Sequence, residues 1–170
     1  RKTLQEAGIH EPVRLQLTYS TDNFGDESDE LFKVLRDQLN DSGLFEVTLK
    51  DVRWARFLPG FKEGEYEAFE VGWVPDFPDA DNFVVPFLSE ENFLNSPYRN
   101  QEILERIPRT RSTEQRSAAL DDFGRIQDIV ARDVPLLPLF QGKQYMAIRE
   151  GIAGAEWALN AVGTLRMGEL

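Results

Sequence analysis

Cysteine is absent from the 170 residues, and histidine occurs once, at position 10. Without thiols there is no disulfide scaffold, thiol nucleophile, zinc finger or iron–sulfur site. A single imidazole falls short of the two or three that most catalytic zinc sites use, and it leaves His10 as the one candidate base for a Ser-His-Asp triad. Beside a helix end and Pro12, His10 reads as a solvent-facing residue of no catalytic consequence. No stretch approaches the roughly 20 apolar residues of a membrane span, and the opening RKTLQEAGIH lacks the form of a signal peptide. Positive charge is also scarce: 19 basic against 30 acidic side chains give a net charge of −11. Phosphate backbones and anionic membranes are therefore repelled at long range. The seven arginines from Arg99 to Arg132 are the one basic concentration. They are interleaved with Glu102, Glu105, Glu114, Asp121, Asp122, Asp128 and Asp133, so they read as a solvated helix face and not as a nucleic-acid or membrane-binding patch.

What is present fits one globular domain. The length lies within the usual window of about 100–200 residues, and 41% of the side chains are hydrophobic. The first residues read as the last turns of an amphipathic helix, with Leu4 apolar, Gly8 as C-terminal cap and Pro12 beyond it, as though the chain were cut from something longer. VRLQLTYS at 13–20 places Val13, Leu15, Leu17 and Tyr19 on one face, the mark of a half-buried strand. Leu31, Val34, Leu35, Gln38 and Leu39 then fall at helical spacing, capped by Asp26 or Ser28 and closed by Gly43. Phe45–Val52 alternates as a second strand, and EYEAFEVGW at 65–73 reads as a third.

From Val74 to Pro97, four prolines and four phenylalanines with no sustained period predict an ordered irregular loop. Helical spacing returns at 98–107. A longer helix is expected from Ser112 or Thr113 as cap to Arg132, with a stripe of Ala119, Phe123, Ile126 and Val130, and Pro135 stops it. LLPLFQ at 136–141 and YMAIR at 145–149 read as strands, and the last 20 residues as a meandering tail. Strand, helix and strand in this order give an α/β fold, whose ligands bind at the carboxyl ends of strands. Trp73-Val74-Pro75-Asp76 lies at such an end.

The same residues carry plainer readings. Asp76 between two prolines suits a turn, and Trp73 at a strand end suits the core. Asp79, Asp81 and Asn82 suggest a calcium loop, but its sixth position would be Val84 where glycine is required, so no metal is expected. Phe83, Phe87 and Phe93 read as pins holding the loop to the core. Asp76 with Asp79, or Glu90 with Glu91, would make a carboxylate pair for a glycosidase-like enzyme, and the Phe-rich loop 74–97 would serve a protein-interaction domain.

GWVPDFPDADNF at 72–83 resembles a segment of the peptide, dipeptide and nickel class of extracytoplasmic solute-binding proteins, family 5 of the ABC importers. Leu4-Gln5-Glu6-Ala7-Gly8 looks like the helix end that opens that family's C-terminal lobe, and Gly64-Glu65-Tyr66-Glu67 like its approach to the central strand. Pro97-Tyr98-Arg99-Asn100 resembles a Y-x-N turn, Glu114-Gln115-Arg116 a helix start, and Asp133-Val134-Pro135-Leu136-Leu137-Pro138-Leu139 a D-x-P-x-x-P-L strand. Ala80 stands where proline is common and Glu67 where aspartate is.

The resemblance implies a single C-terminal ligand-binding lobe, spanning 1–170, of a class II periplasmic-binding-protein-like fold, with a mixed sheet flanked by helices. It implies an extracytoplasmic transport protein with no enzymatic role and no cofactor. Peptides or other small solutes would bind between two lobes, and an ABC permease would read their closure. The other lobe, a signal peptide and any lipid-anchoring cysteine would lie outside this chain. By the same resemblance, Asp76 pairs with the α-ammonium of a peptide, and Trp73, Val74 and Pro75 line the pocket. The chemistry suits an ammonium, whose three donors and one charge require a carboxylate when buried, and the indole face adds cation–π attraction.

Overall fold

A computed structural model describes residues 1–25, 27–143 and 145–154. They fall into two compact units, residues 1–72 and residues from 73 onward. The first is built as α1 (Lys2–Glu6), β1 (Val13–Tyr19), α2 (Thr21–Phe24), α3 (Glu27–Asp41), β2 (Phe45–Asp51), α4 (Trp54–Lys62) and β3 (Ala68–Phe69). The strands lie in the order β2-β1-β3. Val13 to Tyr19 run parallel to Phe45 to Asp51, and Leu17 and Thr18 run parallel to Ala68 and Phe69. Parallel neighbours need a crossover, which α2 and α3 supply on one connection and α4 on the other. The α/β class expected from the sequence is the class observed, but the sheet is not the expected mixed one: both of its described pairings are parallel, because each connection between its strands is a helical crossover.

Local chemistry explains most of these elements. Gly8 and Gly43 take φ values of +70° and +67°, as helix-terminating glycines should. On β1, Val13, Leu15 and Leu17 are half-buried between exposed Arg14 and Gln16. The strand ends on Tyr19, whose ring stacks on Phe32 at 4.4 Å and 11°. That stack sets the buried face of α3, which runs through Ser28, Phe32, Leu35 and Leu39. Val34 and Gln38, expected on that face, are instead exposed, and Ser28 is a buried helical residue and not a cap. Asp26, the other expected cap, lies outside the described residues. The Tyr19 hydroxyl donates to Asp29 at 2.5 Å, and burial with that contact pushes its pKa up to about 12.

Nothing in the sequence reading anticipates α4. Its Trp54, Phe57 and Phe61 sit one turn apart, and Phe57 and Phe61 are fully buried against Phe69 and Tyr66. Pro59 inside the helix and Gly60 disguise the period. The third strand is shorter than the expected 65–73. At its start the Gln16 amide donates to the Glu67 side chain at 2.9 Å, so a carboxylate replaces the backbone partner that would have lengthened the ladder.

The second unit contains α5 (Asp81–Leu88), α6 (Gln101–Ser112) and α7 (Arg116–Asp133). Its core is Leu88, Ile103, Ile107, Ile126 and Ile129, with Val85, Phe87, Tyr98 and Leu136 packed around it. The expected stripe of Ala119, Phe123, Ile126 and Val130 lies on the inner face of α7, which also buries Ile129 and Asp122. Asp122 is 4% exposed and is held by Arg106 at 2.6 Å and Arg109 at 3.1 Å. Glu102 binds both Arg106 and Arg125 at 2.8 Å. Part of the arginine run thus ties α6 to α7 and is not merely a solvated face.

Three expectations need correction here. Residues 74–97 are not wholly irregular, because α5 forms within them. Its first amides are met by Asp79, whose carbonyl accepts Asn82 N–H at 3.1 Å and whose Oδ1 accepts Asp81 N–H at 2.9 Å. α6 begins at Gln101 with Asn100 as its cap, and α7 begins at Arg116 after Gln115, with Ser112 closing α6. Residues 136–141 and 145–149 form no strand among the described residues, and Leu137, Phe140 and Tyr145 are 71%, 70% and 84% exposed. Val134 turns left-handed, Pro135 and Pro138 offer no amide donor, and no described strand runs alongside to pair with them. The expected tail lies outside the described residues from 155 onward.

Candidate functional site

Residues 73–75 belong to no helix or strand and Asp76 lies in a bend, and burial alternates along the four. Trp73 is half-buried and Pro75 buried, whereas Val74 and Asp76 are exposed. Trp73 and Pro75 therefore anchor the segment while Val74 and Asp76 face solvent. The Trp73 ring meets Phe87 edge-on at 5.0 Å and Phe93 at 5.5 Å. Phe87 and Phe93 act as the expected pins, but Phe83 is 50% exposed.

Asn82 fixes both ends of this segment. Pro86 has no amide hydrogen, so the Asn82 carbonyl, four residues before it in α5, has no donor within the helix. The Trp73 indole N–H donates to that carbonyl at 2.8 Å. The Asn82 side chain accepts the Asp76 amide at 2.7 Å through Oδ1. Asn82 is 6% exposed, so its contacts are sheltered from competing water. α5 is in turn held by Arg111, which grips Asp81 with Nε at 2.8 Å and Nη2 at 2.7 Å. Asp81 is thus committed to an arginine, and Asp79 to the helix start.

The consequence is an outward carboxylate on a backbone held by its own amide. Asp76 is exposed, and its carboxylate makes no hydrogen bond or ion pair among the described residues. Its backbone is oriented by buried Asn82, its flank by Pro75, and exposed Val74 and Phe77 stand either side of it in sequence. Such a group accepts a cationic or polyvalent donor without displacing an existing partner. The sequence reading singled out Trp73 and Asp76 and placed Asn82 only in a failed calcium pattern. The signal for Asn82 was the pairing of Asn82 with Pro86 four residues later, which marks a helical carbonyl in need of an outside donor. Among the described residues no group of histidine, cysteine or carboxylate side chains is arranged to hold a metal ion.

Residues 1–95 match the family described as bacterial extracellular solute-binding proteins, family 5 Middle. The chain belongs to that family. The periplasmic oligopeptide-binding protein OppA of Haemophilus influenzae is 23% identical over 141 residues, covering 82% of this chain and 26% of the relative. Di/tripeptide-binding protein 4 of Pseudomonas aeruginosa is 27% identical over 128 residues, covering 72% of this chain and 24% of the relative. In fold, the chain matches the structure of Burkholderia pseudomallei OppA with a TM-score of 0.73 at 20% identity, over 82% of this chain and 28% of that one. The periplasmic-binding-protein fold expected from the resemblance is therefore the fold found. The chain spans about a quarter of the length of these relatives. No helix among the described residues is long and apolar enough to cross a membrane.

Proposed function

We propose that this chain supplies one wall of a peptide-binding site in the solute-binding component of an ABC importer, with Asp76 receiving the free α-ammonium of the ligand. The observation that carries the reading is the exposed, unpartnered Asp76 carboxylate held on a backbone that Asn82 fixes. The names of relatives that bind oligopeptides and di- or tripeptides support it. A preset carboxylate does not have to be reoriented on binding, which preserves affinity. A charge-assisted hydrogen bond to an ammonium contributes about 1.5–3 kcal/mol.

Trp73, Val74 and Pro75 present the segment. Trp73 and Pro75 hold it down, and Val74 offers its outward side to the ligand. The rest of the affinity comes from main-chain pairing with an extended peptide, which is indifferent to side-chain identity. Closure of a second lobe over this wall makes the state that a membrane permease reads. The role is binding without catalysis, outside the cytoplasm, whether periplasmic or lipid-anchored.

The test uses the full-length protein and Asp76→Asn. Titration calorimetry with matched peptides should show a loss of about tenfold or more for those with a free amino terminus, and little change for their N-acetylated forms. Equal losses for both remove Asp76 from the ammonium role.

A further inference from the structure

Two phenyl rings of the second unit are left half in water beside Asp76. Phe77 follows Asp76 directly and is 45% exposed, and Phe83 follows Asn82 directly and is 50% exposed. The stretch between them folds back on itself. The Asp76 amide donates to Asn82 Oδ1 at 2.7 Å, the Asp79 amide to the Phe77 carbonyl at 2.9 Å, and the Phe83 amide to the Ala80 carbonyl at 3.0 Å. Phe77 and Phe83 therefore each stand one residue beyond a partner in the same hydrogen bond, so this closure sets both beside Asp76. Neither ring belongs to the apolar set packed on the core of this unit, whereas Phe87, one turn after Phe83, does. Trp73 packs on Phe87 and Phe93, so the segment is anchored without Phe77 or Phe83. Apolar residues exposed singly are ordinary. Here two rings border one outward carboxylate, on a backbone closed by buried Asn82.

The chemistry of an amino acid indicates what the pair receives. The α-ammonium and the side chain of a peptide's first residue branch from a single carbon. With the ammonium on Asp76, that side chain must lie near the residues bordering Asp76, which are Phe77 along the chain and Phe83 across the Asn82 bond. A large apolar side chain gains there by leaving water together with the rings. An acidic one would lose hydration against phenyl rings that offer no donor, beside a carboxylate of its own sign.

We infer that Phe77 and Phe83 are specificity residues that receive the side chain of the ligand's first residue and favour a large apolar or aromatic one. The inference rests on the ammonium reading of Asp76 and adds a ligand class to it, peptides with a bulky apolar amino-terminal residue. Main-chain pairing does not produce that preference, because it is indifferent to side-chain identity.

The experiment compares the full-length wild type with Phe77→Ala, Phe83→Ala and the double change by calorimetry. The probes are alanine peptides of tripeptide and pentapeptide length whose first residue is alanine, leucine, phenylalanine or glutamate, with a further set carrying leucine second. Wild type should favour leucine or phenylalanine over alanine at the first position by about tenfold, with no such gain for glutamate or for leucine placed second. The double change should cut that preference to about twofold or less, weakening the leucine and phenylalanine peptides more than the all-alanine one. Melting temperatures of the ligand-free proteins should stay the same, because both rings are half in water. Absence of a first-position preference in wild type overturns the inference, as does a preference that survives the double change or an equal loss for every peptide. A clear drop in ligand-free melting temperature also overturns it, since the rings would then be packed within the protein. N-acetylation of the all-alanine peptide reports on Asp76 alone, so each of those failures leaves the ammonium reading standing. Equal binding of the free and N-acetylated forms by wild type, or no peptide binding at all, overturns both.

Discussion

The Tyr98 hydroxyl donates to Asp133 Oδ2 at 2.7 Å, joining two segments 35 residues apart at the base of α7. Asn100 Nδ2 donates to the same oxygen at 3.0 Å, and Arg132 binds the other oxygen at 2.7 Å. Asn100 also caps α6 through Oδ1, so one residue starts one helix and tethers the end of another. Tyr98→Phe removes one donor while keeping the packed ring. The expected result is a fall in melting temperature of about 1–3 °C, shrinking toward zero when Asp133 is already Ala. Thermal unfolding followed by circular dichroism, over the four proteins of that cycle, checks it. A Tyr98→Phe effect of the same size in both backgrounds would separate the hydroxyl from Asp133.

Asn82→Leu tests the device that presents Asp76. Leucine keeps the volume but removes Oδ1, leaving the Asp76 amide without its acceptor. The predicted cost is about 1–3 kcal/mol in urea unfolding, the penalty for orphaning a sheltered donor. The same change frees the Asp76 backbone, so discrimination between free and N-acetylated peptides should narrow even though the carboxylate is still present. Unchanged discrimination would show that Asn82 has no part in positioning Asp76.

Sequence alone made the α/β class, β1, β2 and α3 readable, because period-two and helical spacing survive wherever an element buries one face. The candidate segment stands out in the sequence for a different reason. Trp73, Pro75 and Asp76 form a recognisable string whose chemistry is local. The failures have identifiable physical causes. Pro86 falls in the stretch expected to be irregular, and Pro59 in one given no element, yet each sits in the interior of a short helix. At Pro86 the helix tolerates the lost donor because Trp73 supplies one from outside. The third strand was overextended because a side-chain acceptor on Glu67 ends the ladder early. The stretch at 136–141 has a strand's composition, but a strand also needs a partner, and composition does not reveal whether one is alongside.

Gly60 is a position where even a methyl group is too large. A Cβ there would lie 2.2 Å from Tyr66 Oη and 2.4 Å from its Cζ. The Tyr66 ring is held in turn, stacking on Phe57 at 5.4 Å with Phe69 at its edge at 6.4 Å. Gly60→Ala should therefore destabilise the first unit by about 1–3 kcal/mol, against the usual gain from placing alanine in a helix. Trimming the obstacle, in Gly60→Ala with Tyr66→Leu, should cost less than the sum of the two single changes. Urea titrations of the three variants decide it, and strict additivity would mean that the two residues do not compete for the same space.

Acid should unfold the second unit through identifiable carboxylates. Arg125 and Arg106 hold the Glu102 carboxyl down from 4.5 to about 2, and Arg132, with help from Tyr98, holds Asp133 down from 3.8 to about 2. In each case the folded pKa lies below the unfolded one, so between these values the unfolded chain binds more protons. The stabilisation is then fully present above about pH 4.5 and is lost as pH falls toward about 2. Glu102 is half-buried and Asp133 exposed, so both remain within reach of solvent and salt should weaken the effect. Glu102→Gln removes the proton uptake together with the ion pairs to Arg106 and Arg125. Its melting temperature should be lower than wild type at neutral pH, and the two should converge as the wild-type carboxyl titrates. A wild-type difference that persists undiminished at the acid end would mean that packing of the Glu102 side chain, and not its charge, joins α6 to α7.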